Sequence, residues 1–104
     1  MPECIVDPCV EDELWGIWRF IAKDNPDAAT RVIEAAYATF KTLAANPGPG
    51  SPRRFRNPQL RDVRSFHISG FKNYLIFYRP VAGGIQVNHV YHGARDIEAL
   101  FGEK

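Results

Sequence analysis

RDVRSFHISGFKNYLIFYRPVAGGIQVNHVYHGARDIEALF, residues 61–101, decides the fold of this chain. Its centre, Asn73–Arg79 (NYLIFYR), is dense in aromatic and β-branched residues, which fit a pleated, half-buried surface and predict a central strand. Ala82-Gly83-Gly84 supplies a hairpin turn. In the strand that follows, Ile85, Val87, His89 and Tyr91 fall on one face and Gln86, Asn88, Val90 and His92 on the other. Upstream, Asp62–Ile68 predicts another strand of imperfect phase, because Val63 and Phe66 lie three residues apart. Ile97, Leu100 and Phe101, at i, i+3 and i+4, predict a short terminal helix with Asp96 as its cap and Arg95 projecting outward.

The N-terminal half has a different period. Glu3–Val6 fits an edge strand. Asp7-Pro8 then gives a helix start, with Asp7 as N-cap and Pro8 at the first helical position. Val10, Leu14, Ile17, Trp18 and Ile21 form one helical face, and Glu11, Asp12 and Glu13 complement the positive end of the dipole. Trp15 falls off that face. Asn25-Pro26 starts a second helix with the stripe Ala29, Val32, Ile33, Ala36, Phe40 and Leu43. Asn46-Pro47-Gly48-Pro49-Gly50 ends it. So short a break between helices predicts an antiparallel helical hairpin. Ser51–Leu60, with its arginines and prolines, reads as a surface loop. The predicted order is β-α-α-β-β-β-α, an α+β fold with the hairpin on one face of a small, mainly antiparallel sheet. Phe71, Tyr74, Phe77 and Tyr78 read as sheet core.

At 104 residues the chain is sized for a single domain, residues 1–104. The acidic start MPECIVDPCVEDELW lacks the basic and apolar parts of a secretory signal, and no apolar run approaches the ~20 residues of a membrane span. The cytoplasm is the expected location, with no membrane partner. Cys4 and Cys9 read as reduced thiols, and His67 and His89 as ordinary strand residues. No spacing of cysteines or carboxylates suggests a metal, so neither metal nor cofactor is expected.

A net charge of +1 conceals a division. From Ser51 to Arg79 the chain carries Arg53, Arg54, Arg56, Arg61, Arg64, Lys72 and Arg79 against Asp62 alone, whereas Met1–Gly50 has four basic and eight acidic residues. A chain so polarised is suited to meet an anionic partner with one face.

The segments DNPDAATRVIEAAYATFKTLAANPGPG, NYLIFYR and VYHGARDIEALF, in this order, resemble the RelE/ParE superfamily of bacterial type II toxin–antitoxin toxins. The likeness runs from Asp7 to Phe101, and Tyr78-Arg79 followed by His92-Gly93-Ala94-Arg95-Asp96 is closest to the ParE-like branch. The resemblance implies a small toxin silenced by a cognate antitoxin encoded beside it, in a higher-order hetero-oligomer. It also implies one of two targets: DNA gyrase, poisoned without catalysis, or messenger RNA, cleaved on the ribosome.

For a nuclease, Arg64 and Arg79 match positions of phosphate-binding arginines, and Tyr91 and His92 fall near the Tyr or His-Tyr of nuclease members. RNA cleavage by its own 2′-hydroxyl needs a base, an acid and cations around the transition state. Adjacent strand residues point to opposite faces, so Tyr91 and His92 are not expected to share a site. Asp62 is the only carboxylate between Ser51 and Arg79, and a complete nuclease site is not evident. Gyrase inhibition therefore ranks ahead of RNA cleavage, with a non-toxic relative acting as a corepressor third. The expected contacts with target or antitoxin are Arg53, Arg54, Arg56, Arg61, Arg64, Arg79 and Arg95.

Overall fold

The computed structural model describes residues 2–103 and has the order β1 (Glu3–Val6), α1 (Pro8–Ala22), α2 (Pro26–Ala45), β2 (Ser51–Pro52), β3 (Arg64–Ile68), β4 (Phe71–Val81), β5 (Gly84–His92) and α3 (Ile97–Leu100). The sheet has five strands in the order β1-β5-β4-β3-β2. β1 runs parallel to β5 and every other neighbour is antiparallel. The fold is α+β, as expected. Ser51–Leu60 is not wholly loop: it holds the two-residue strand β2 and a 3₁₀ turn at Pro58–Leu60. Among the described residues no helix is long and apolar enough to cross a membrane.

Both helices begin where their sequences dictate, but only one is capped by the expected chemistry. Asn25 accepts from the Ala28 amide at 3.0 Å. Asp7 stands at the N-cap of α1 without a side-chain cap bond. Its carboxylate instead accepts from Gln86 Nε2 at 2.8 Å and Asn88 Nδ2 at 3.1 Å, trading a local cap for a tie between α1 and β5.

The sheet is buried on both faces, unequally. Against the helical hairpin lie Val10, Leu14, Val32, Ala36, Phe40 and Leu43 from the helices, with Ile68, Ile76, Tyr78, Ile85, Val87 and Val90 from the sheet. The opposite face holds a smaller cluster of Val63, Phe77, Tyr91 and Ile97, flanked by Phe55, Leu60, Leu75, Leu100 and Phe101. Val63 and Phe66 were out of phase for a simple reason. Val63 precedes β3 and packs under the second face, while Phe66 packs toward the helices.

A second phase change corrects the face expected for β5. Phe77 pairs with His89 but Tyr78 pairs with Val87, so Asn88 is an extra residue in a β-bulge. Ile85, Val87 and Val90 consequently face the helices, whereas His89 stacks on Tyr91 on the other side, ring centroids 4.9 Å apart. Ile85, Val87, His89 and Tyr91 do not share one face.

Two glycines are required by close approach. A Cβ on Gly84 would lie 1.8 Å from the Glu3 carbonyl oxygen, where β1 docks on β5. One on Gly50 would lie 2.1 Å from the Tyr78 hydroxyl. That hydroxyl accepts from the Gly50 amide at 2.9 Å and donates to the Pro47 carbonyl at 2.6 Å, fastening the end of the α2–β2 connection to β4.

Candidate functional site

Three surfaces stand out: the arginine-rich face, the helical hairpin, and the part of the β5 edge that β1 leaves uncovered.

The arginines concentrate around the second cluster. Arg53 lies over the Phe77 ring at 5.4 Å and the Phe55 ring at 6.0 Å. Arg95, exposed as expected, lies over Tyr91 at 5.5 Å. Arg79 donates to the Gln59 carbonyl at 3.1 Å. Arg56 is tied to Glu103 through both its backbone amide and its guanidinium. Arg53, Arg54 and Arg56 line a shallow groove with Glu98 and Glu103, so this face is cationic but not purely so. Arg61 is exposed beside Asp62 at the β2–β3 end of the sheet. Arg64 departs from the group. It pairs with Tyr78 in register, which puts it on the helix side, and it donates to the Gly50 carbonyl at 2.9 Å.

This register separates the two arginines expected to grip a phosphate. Arg64 shares the face of Tyr78, and Arg79, one residue beyond Tyr78, points to the opposite face. They do not converge. The N-cap of the terminal helix α3 is as expected, with Asp96 Oδ1 accepting from the Ala99 amide at 3.3 Å.

The hairpin exposes large apolar side chains. Trp15 is 56% exposed, Phe20 65% and Tyr37 44%. Trp15 and Trp18 stack at 5.1 Å, and Trp18 Nε1 donates to Thr30 Oγ1 at 3.3 Å. With Leu14, Ile33 and Tyr37 they line a groove of about 500 Å³ between α1 and α2, rimmed by Glu11, Asp12 and Glu34.

The edge of β5 was not foreseen. β1 covers it only as far as Val87. Beyond that point α1 supplies side chains in place of a strand: Cys9 Sγ donates to the Asn88 carbonyl at 3.3 Å and Glu13 Oε1 accepts from the Val90 amide at 2.9 Å. Glu13 Oε2 also lies 2.7 Å from His89 Nδ1, and the Tyr91 hydroxyl 2.8 Å from the same nitrogen. Burial, then the charge and hydrogen bond of Glu13, pushes the Tyr91 phenol well above its ordinary range, so it stays protonated and acts as a donor. Burial first, then Glu13 and Asp7, raises the Cys9 thiol.

Glu13, Tyr91, His92 and Arg95 line a groove of about 460 Å³ with Ile17, Phe20 and Tyr74. Tyr91 and His92 both reach it because the groove wraps the sheet edge, which overrides strict alternation. His92 Nδ1 accepts from the Ala94 amide at 3.0 Å, and its ring meets Tyr74 edge-on at 5.0 Å. Sequence reading missed the cluster because the contacts that join the start of α1 to β5 span 76–81 residues. The available signal was Cys9 and Glu13 at i, i+4, one helical face.

Fold and site define a small α+β domain: a helical hairpin with exposed aromatics backed by an arginine-bearing sheet. Residues 5–97 match the family model described as ParE toxin of type II toxin–antitoxin system, parDE, and the chain belongs to that family. Among solved structures, it is similar to a chain of the chromosomal ParDE toxin–antitoxin system from P. aeruginosa, with TM-score 0.69 and 18% identity over 88% of this chain and 96% of that one. No curated protein is significantly similar in sequence.

Proposed function

We propose that this chain acts in the cytoplasm as a toxin that inhibits DNA gyrase and is silenced by a cognate antitoxin. Its membership of the ParE toxin family over residues 5–97 carries the reading. The site geometry supports a binding protein over a nuclease. Arg64 and Arg79 lie on opposite faces of the sheet, and His92 Nδ1 is engaged by the Ala94 amide.

The chain offers an antitoxin two surfaces. The exposed groove of Trp15 and Tyr37 suits an amphipathic helix, and the arginine-bearing face suits an acidic segment that orders on binding. Truncating an anchor tests the first. Trp15→Ala is expected to cost only about 1 kcal/mol of stability, the loss of its stacking on Trp18, because Trp15 is otherwise largely exposed. Antitoxin affinity should fall about 30-fold or more, as for an aromatic anchor.

The target is tested by two assays side by side. Supercoiling by purified gyrase should be lost on adding the chain and recovered on adding its antitoxin. Gyrase left active while messenger RNA on translating ribosomes acquires discrete cuts would replace this reading with a ribosome-dependent endoribonuclease.

A further inference from the structure

The cluster at the free edge of β5 contains more than hydrogen-bonding groups. Cys9, Glu13 and His89 each offer one metal-binding atom, and these atoms all lie within 4.8 Å of one another. We propose that Cys9 Sγ, Glu13 and His89 Nδ1 bind a zinc ion that pins the first turns of α1 to the edge of β5. This site is independent of which cellular target the toxin takes.

One of the ligand distances already fits a small tetrahedral ion, and a small shift of Glu13 brings a second to it. Usual zinc–ligand lengths give tetrahedral edges of about 3.6 Å between sulfur and nitrogen and about 3.4 Å between oxygen and nitrogen. Cys9 Sγ already lies 3.7 Å from His89 Nδ1. Glu13 Oε2, at 2.7 Å, has to withdraw by roughly 0.7 Å to reach that edge. A glutamate side chain has the rotamers for so small a shift, and the backbone stays where it is.

The donor set selects the metal. One thiolate, one imidazole and one carboxylate suit a borderline-soft ion such as Zn²⁺ and poorly suit Mg²⁺ or Ca²⁺, which prefer oxygen. Asp7 and Glu13 act electrostatically on Cys9, with Asp12 adding less, and the negative potential that opposes a bare thiolate favours a divalent cation. Binding sends the thiol proton to solvent. It also requires Nδ1 to be the unprotonated nitrogen, with the ring proton on Nε2.

Outer-sphere support is present. The Val90 amide holds the other Glu13 oxygen at 2.9 Å. The Tyr91 hydroxyl, 2.8 Å from Nδ1, has to turn its proton from that nitrogen to Glu13 when the metal takes the lone pair. Cys9 is exposed, so an ion can enter from solvent and water can take the fourth position.

The test uses the purified full chain. Zn²⁺ is titrated in competition with a chromogenic chelator, and Co²⁺ is added separately as a spectroscopic substitute. The native chain should show a thiolate-to-cobalt charge-transfer band. Cys4→Ser should keep it, since Cys4 lies on β1, and Cys9→Ser should lose it while remaining folded by circular dichroism. Zinc affinity should drop at least about 100-fold in Cys9→Ser and again in His89→Gln, a ligand loss being no milder than the loss of an outer-sphere partner. Zinc should raise the unfolding temperature of the native chain and not that of Cys9→Ser. The proposal is overturned if the native chain gives no charge-transfer band, if Cys9→Ser binds zinc as the native chain does, or if Cys4→Ser removes the band. In those cases the Glu13–His89 contact is a metal-free latch.

Discussion

The two faces of the sheet are built to different standards. Toward the helices, Phe40, Leu43, Ile76, Ile85, Val87 and Val90 are essentially inaccessible, closed over by α1 and α2 of 15 and 20 residues. On the other face, Phe77 is fully buried, but Phe55, Leu75, Leu100 and Phe101 are only partly so under the four-residue helix α3. The aliphatic side is closed on itself. The aromatic side is thin, and arginines rather than a second layer of helices complete its cover. A face with few fully buried contacts opens more readily and leaves its polar side chains free to engage a partner. In this molecule the more tightly buried core and the arginines that lie over aromatic rings therefore occupy opposite sides of one sheet.

The largest test of that division is a pair of truncations. Phe40→Ala empties the closed side and should cost about 3–5 kcal/mol, the usual range for a buried aromatic. That is a large share of the 5–15 kcal/mol typical of a domain. Phe101→Ala, on the thin side, removes a partly exposed ring and should cost about 1–2 kcal/mol at roughly 25 cal/mol per Å². Urea midpoints for the two variants decide the matter. Equal losses would show that the faces contribute alike.

Tyr78 carries the next effect. It is buried against the helices, yet its hydroxyl serves both Gly50 and Pro47. Tyr78→Phe strands the Gly50 amide and the Pro47 carbonyl and should cost about 1–3 kcal/mol. Burial also raises the Tyr78 phenol above its ordinary value, against smaller lowering contributions from the Gly50 amide and Arg64. The native state thus favours the protonated phenol more than the unfolded chain does. Its contribution is complete below the unfolded value near 10 and is lost as the pH climbs from there through the native value. Tyr74 is raised in the same sense by burial, and Tyr91 more strongly by burial and Glu13, so each adds to the alkaline loss. Unfolding measured from pH 8 to 11 should show stability declining above about pH 10. Tyr78→Phe should flatten that decline, and an unchanged slope would remove Tyr78 as one of its sources.

Much of the closed face was legible in the sequence, because it is written in local patterns. The stripe Val32, Ala36, Phe40 and Leu43, the Asn25 cap and the NYLIFYR strand each announce themselves within a single element. The thin face and the edge of β5 were not legible, and the cause is physical. One extra residue at Asn88 reverses the facing of everything after Val87, and a bulge has no signature in hydrophobic alternation. Asp7 looked like a helix cap, but its carboxylate is claimed by Gln86 and Asn88 on a strand almost the whole chain away. Glu13 meets His89 for the same reason: helix α1 covers a strand edge that β1 leaves bare. The arginines were legible as composition. Their separation by face, Arg64 from Arg79, follows from register alone.

The smallest expected effect probes the thin face directly. Arg95 is exposed and lies over the Tyr91 ring, a contact worth about 0.5–1 kcal/mol at a solvent-facing site. Arg95→Ala should therefore lower stability by no more than that, within reach of a careful urea series. If the thin face is for recognition, the same variant should weaken the acidic antitoxin more than it weakens the fold, mostly through slower association at low salt. Raising the salt should then narrow the gap between native chain and variant, because the interaction is screened over a Debye length of about 10 Å at 0.1 M. A gap that stays constant from low to high salt would mean that Arg95 acts by packing on Tyr91. The thin face would then be an incomplete core rather than a binding surface.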